Sequence, residues 1–241
     1  MPPKDPDHGP PQARRDRAAA LRAQAASAER RRRLLLITVV GVIAAAVIAG
    51  ITIAVVSSGG GTSPSPESAG IPTAPMKTSS GRTTSPPWGT PDDPSARVAA
   101  AGLPMLGEEG NVEHIHAHLD VIVNGKPVAV PPNIGVDQRT QQISPLHTHA
   151  ADGVIHVESP VKATFSLGQF MTEWDVALTA QTIGALKAGN GNVLHAYVNG
   201  KERPGDPSGI ELRAHDEIAI VYRPTTTKVT VPDSYDWPPG E

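Results

Sequence analysis

Hydrophobic and polar residues alternate strictly over Glu113–Val123, where Ile115, Ala117, Leu119, Val121 and Val123 fall on one face and His114, His116, His118 and Asp120 on the other. This two-residue period predicts a half-buried strand. Asn124-Gly125 follows, a pair suited to the type I′ turn because both central residues need positive φ. The turn brings Val128 and Val130 opposite Val121 and Leu119. A second Val-Asn-Gly-Lys at 198–201 closes another hairpin after Leu194-His195-Ala196-Tyr197, and residues 218–222 alternate as a closing strand after the polar turn His215-Asp216-Glu217.

Between the hairpins the period changes to that of a helix. Leu167, Phe170, Met171 and Trp174 form an i, i+3, i+4, i+7 stripe, Ser166 and Gln169 fit a capping box, and Phe165 and Phe170 stand where a hydrophobic staple closes. A short helix is also expected after Asp93-Pro94, stopped by Gly102, and another over 179–187, ending at Gly189. These elements predict an α+β domain over 95–223, a small, mainly antiparallel sheet with one packed helix. A β-grasp-like arrangement fits, with a β-sandwich as the alternative.

Upstream, residues 34–56 carry no charge for 23 positions, enough for a helix of roughly 34 Å across a hydrocarbon core of about 30 Å. Residues 1–33 hold nine Lys/Arg against four Asp/Glu. A basic flank before a first apolar segment stays cytoplasmic, so the rest is expected outside a cell membrane that the chain crosses once. Residues 57–94, rich in Pro, Ser, Thr and Gly, read as a disordered tether, and 224–241 as a flexible tail.

The net charge of −3 hides a division. Residues 57–241 contain twelve basic against twenty acidic side chains, which excludes nucleic acid as the expected partner of this part because phosphate binding needs a cationic footprint. Cysteine is absent, so a metal would be held by nitrogen and oxygen alone.

Eight of the nine histidines lie after residue 56, and six of them form two clusters. In the stretch His147-Thr148-His149-Ala150-Ala151-Asp152-Gly153-Val154-Ile155-His156-Val157-Glu158, a two-residue turn at Asp152-Gly153 pairs Ala151 with Val154 and Ala150 with Ile155. His149 then faces His156 and His147 faces Glu158. All four polar side chains share one face, with opposed Cβ atoms about 4.5–5.5 Å apart. On the first strand His116 and His118 are the preferred pair, continued by Asp120, with His114 peripheral. His147, His149, His156, His116, His118 and Glu158 are the candidate ligands of a divalent transition metal. Neutral imidazole suits zinc or copper(II), and Glu158 supplies an anionic oxygen or orients a histidine. The alternative is a polar or pH-sensitive face on a partner-binding module of an envelope complex.

Enzyme templates fit poorly. His116-Ala117-His118-Leu119-Asp120 begins like the HxHxDH motif of metallo-β-lactamase-like hydrolases, but Val121 stands where the last His is needed. No nucleophile elbow, P-loop or dinucleotide fingerprint is present, so the reading leans away from catalysis and leaves a metal-dependent enzyme as a third possibility.

Residues 116–125 (HAHLDVIVNG), 144–149 (SPLHTH) and 153–159 (GVIHVES) together resemble a set of uncharacterised membrane-anchored bacterial proteins, notably actinobacterial ones. The resemblance covers roughly residues 98–223. It implies a histidine-rich exterior domain and supplies no activity.

Overall fold

The computed structural model describes residues 69–238. The expected anchor at 34–56 and the basic arm at 1–33 lie outside the described residues. Among the described residues, no helix is long and apolar enough to cross a membrane.

Two α-helices and a seven-stranded mixed sheet frame the described residues in an α+β arrangement. The first strand, β1 (Glu113–Val123), is the hub. Along one edge it pairs in parallel with the last strand, β11 (Glu217–Pro224), which places His118 opposite Glu217. Its other edge is shared. β2 (Lys126–Val128) pairs antiparallel with its end, Val121 opposite Val128, and β6 (Val154–Ser159) pairs antiparallel with residues 113–118. β5 (Leu146–His147) adds to β6, and the hairpin β9 (Asn192–Val198)–β10 (Lys201–Glu202) adds to β11. Two further pairs, β3 (Val136–Asp137) with β4 (Gln142–Ile143) and β7 (Thr182–Ile183) with β8 (Leu186–Lys187), are two-residue ladders.

Both Asn-Gly turns form as the residue types require. Asn124 and Gly125 have φ of 52° and 77°, and Asn199 and Gly200 have 51° and 71°. The helix α1 (Pro94–Ala100) is capped by Asp93, whose carboxylate accepts from the Ala96 amide. The helix α2 (Leu167–Glu173) carries the full capping box of Ser166 and Gln169 and is buried along its whole length. Its Leu167, Phe170 and Met171 join Trp174, Ala117, Leu119, Ile155 and Val157 in one apolar core on one face of the sheet.

Three expectations require correction. Residues 179–187 form no helix. The Thr179 hydroxyl accepts the amides of Gln181 and Thr182, and Gly184 adopts φ +55°, so the segment folds into the β7–β8 hairpin. The described part of the expected tether is built into the domain, since Ile71 and Trp88 are buried in the core and Arg82 bonds to the carbonyls of Trp174 and Asp175. Its polar composition conceals these two apolar anchors. The tail is likewise packed. Val229 and Val231 cover Ile122, Ala219 and Val221 on the sheet face opposite the core, and Tyr235 stacks on His118 with ring centroids 4.0 Å apart.

Candidate metal centre

On the face of the sheet away from α2, three histidines line up across three adjacent strands. His147 on β5 faces His156 on β6, and His156 faces His116 on β1. One step along the sheet, Glu158 faces His114. Alternation explains the arrangement. The same strands send Leu146, Ile155, Val157 and Ala117 into the core, so every second residue is delivered to the opposite face.

The pairing differs from the expected two-residue turn. After His147 the chain leaves β6 and bonds instead to the segment near Ile134. The Thr148 amide donates to the Ile134 carbonyl, the Asn133 amide donates to the Thr148 carbonyl, and the Thr148 hydroxyl donates to Pro131. Gly153 alone of the Asp-Gly pair has positive φ, while the Asp152 carboxylate accepts the Val154 amide. His147 therefore opposes His156 rather than Glu158, and His149 lies in the loop instead of opposing His156. This shift moves the partner by two residues, which preserves the face. His149 still folds back, with its ring centroid 4.7 Å from that of His147 and 4.5 Å from that of His156.

His147, His149, His156 and Glu158 thus each offer a donor atom within 4.8 Å of all the others, a group that could hold a metal ion. His147 Nδ1 lies 3.0 Å from the Ser144 carbonyl oxygen, to which only an N–H can donate. In the neutral ring this leaves the lone pair on Nε2, which faces His149 Nε2 at 3.2 Å. Donors of a tetrahedral zinc with Zn–N of 2.0–2.1 Å lie about 3.3–3.4 Å apart, so this pair already has the separation of two ligands. His156 Nδ1 and Glu158 Oε1 are also 3.2 Å apart, and His147 Nε2 lies 3.9 Å from Glu158 Oε1.

The electrostatics favour the ligating protonation states. Burial pushes His147 down to about 4, against the opposing pull of Glu158 and the Ser144 carbonyl. Burial, reinforced by His156 and His114, brings His116 to about 4 as well. For Glu158 burial works upward but is outweighed by the hydrogen bond from His156 and the nearby His147 and His114, which hold the carboxyl at about 2. Neutral imidazole and ionised carboxylate are the forms that bind a cation.

The other sequence candidates divide differently from expectation. His116 and His118 do not act together. His116 belongs with His114 and Glu158, whose donors form a second group within 4.8 Å, and His114 Nε2 is 3.5 Å from Glu158 Oε1. His114, expected to be peripheral, thus belongs to a donor group, at its exposed edge. His118 joins a third group with Asp120 and Glu217, but both of its ring nitrogens are engaged: Nδ1 lies 2.6 Å from Glu217 and Nε2 2.7 Å from the Asp152 carbonyl. His195 stands apart, 2.9 Å from Glu202. Sequence reasoning missed Glu109, whose carboxylate lies 3.5 Å from His149 Nε2. It sits in an irregular loop with no periodic signal. Glu217 reads as a turn residue from sequence, and its approach to His118 depends on a parallel register that no local pattern encodes.

The floor of the site is buried, with His147 fully enclosed, while the side chains of His149 and His114 are 48% and 54% exposed at its mouth. Comparison with protein-family models, curated proteins and solved structures gives no match, so the chemistry of these side chains carries the functional reading.

Proposed function

We propose that this domain binds a divalent transition metal, zinc or copper(II), through His147, His149, His156 and Glu158, in storage, delivery or sensing. The observation that carries the reading is the 3.2 Å approach of two imidazole Nε2 atoms, one with its lone pair fixed by the Ser144 carbonyl, beside a buried carboxylate. Two nitrogen donors this close repel unless a proton or a cation lies between them. An all-nitrogen-and-oxygen donor set suits zinc or copper(II) rather than copper(I). The exposed mouth supports exchange of the ion with solvent or a carrier.

The setting belongs to the same proposal. The charge-free run at 34–56 after a basic arm supports a single-pass anchor with this domain outside the membrane, as the resemblance to membrane-anchored actinobacterial-type proteins implies. The parallel pairing of first and last strands at the middle of the sheet, with α2 lying between the two hairpins in sequence, supports the β-grasp-like reading over a sandwich.

The test is metal analysis by mass spectrometry on the full-length chain after loading and desalting, with thermal melting alongside. At least one ion per chain and a raised Tm with zinc or copper(II) are expected, both lost in H147A/H149A. No bound metal and an unchanged Tm in the wild-type chain would overturn the reading.

A further inference from the structure

Six donor side chains meet on this face, two more than one tetrahedral ion uses. His147, His149, His156 and Glu158 make up one set. His114 and His116 are left over, adjacent on β1 with ring centroids 5.1 Å apart, and with Glu158 they make a second set of three. Both sets converge on a single atom. Glu158 Oε1 lies 3.2 Å from His156 Nδ1, 3.5 Å from His114 Nε2 and 3.9 Å from His147 Nε2, so imidazoles from three strands surround one carboxylate oxygen.

From this arrangement we infer that the site is dinuclear, with Glu158 bridging one divalent ion held by His147, His149 and His156 and a second held by His114 and His116. The inference rests on the proposed metal-binding function and extends it to a second ion. Paired-metal sites hold their ions about 3.5–4 Å apart, a separation that one carboxylate spans. Glu109 brings a second carboxylate to the mouth beside His149, which offsets part of the added charge. Each set reaches solvent through one half-exposed imidazole, His149 in the first and His114 in the second. The third acidic group, around His118, is excluded from this pair because its imidazole is already held at both nitrogens.

Loading the full-length chain with excess copper(II), desalting it, and measuring copper per chain together with its electron paramagnetic resonance spectrum tests the inference. The wild type is expected to retain two ions and to show the broadening or half-field signal of two coupled copper(II) centres. H114A, altered at a half-exposed position, is expected to retain one ion and give an uncoupled spectrum. The coupling is read in the wild type and does not depend on how the variant folds. One ion per wild-type chain with an uncoupled spectrum, or two ions retained in H114A, would overturn the dinuclear assignment and leave the single-ion reading intact. No copper bound at all would overturn both.

Discussion

His116 and His156 face each other across the β1–β6 pair, their ring centroids 4.5 Å apart and their planes at 80°. This contact joins two histidine clusters that are some forty residues apart in sequence into one surface. It also places three imidazoles in a row on β5, β6 and β1, with only the outer part of the site open to solvent.

Acid should weaken the metal-free protein. In the unfolded chain His116 and His147 titrate at the ordinary 6.5, whereas the folded protein holds each at about 4. Between these values the unfolded chain binds more protons, so folding stability falls as pH drops from 6.5 towards 4. Each imidazole contributes on the order of 2–3 kcal/mol of that loss. Glu158, held at about 2, adds a further loss only below its ordinary 4.5. Melting curves in chelator between pH 7.5 and 4.5 should fall less steeply for His147→Gln than for the wild type, and equal slopes would contradict the buried neutral imidazole.

His118 should matter for stability and not for metal. Burial lowers its affinity for protons, but the hydrogen bond and charge of Glu217 prevail and raise it. The ring ties β1 to β11, to the loop carbonyl of Asp152 and, through Tyr235, to the tail. His118→Ala leaves the buried Glu217 without this partner, at a cost of about 3–5 kcal/mol. Chemical denaturation checks the loss, and metal per chain in the folded fraction should match the wild type. A variant of full stability, or one with fewer ions, would assign His118 a different role.

Trp88 anchors a segment whose composition suggests a loose linker. It is 2% exposed, meets Trp174 edge-to-face at 5.8 Å and donates its indole N–H to the Thr84 carbonyl. Trp88→Ala should cost about 3–5 kcal/mol in urea unfolding. A change below ~0.5 kcal/mol, the usual range for surface sites, would return the segment to the status of a tether.

What was legible in the sequence was local. Period-two alternation marked β1 across its full span, Asn-Gly pairs marked two hairpins, and Ser166 with Gln169 marked the start of α2, because each signal is complete within a few residues. The histidine face was legible for the same reason: alternation assigns a side chain to a face even when the pairing slips by two. Long-range register was not. Nothing near Asp152-Gly153 reveals that Thr148 bonds to the segment at 131–134, or that β1 and β11 align His118 with Glu217. Nor does a Pro/Ser/Thr-rich stretch announce that Ile71 and Trp88 join a core built from residues as distant as Tyr222, since burial of two side chains barely changes its average polarity.

The most direct test is anomalous diffraction from crystals of the protein soaked or grown with zinc, recorded on either side of the zinc absorption edge. A peak enclosed by His147, His149, His156 and Glu158 is expected. A map with no peak there, or with zinc only elsewhere on the molecule, would contradict it.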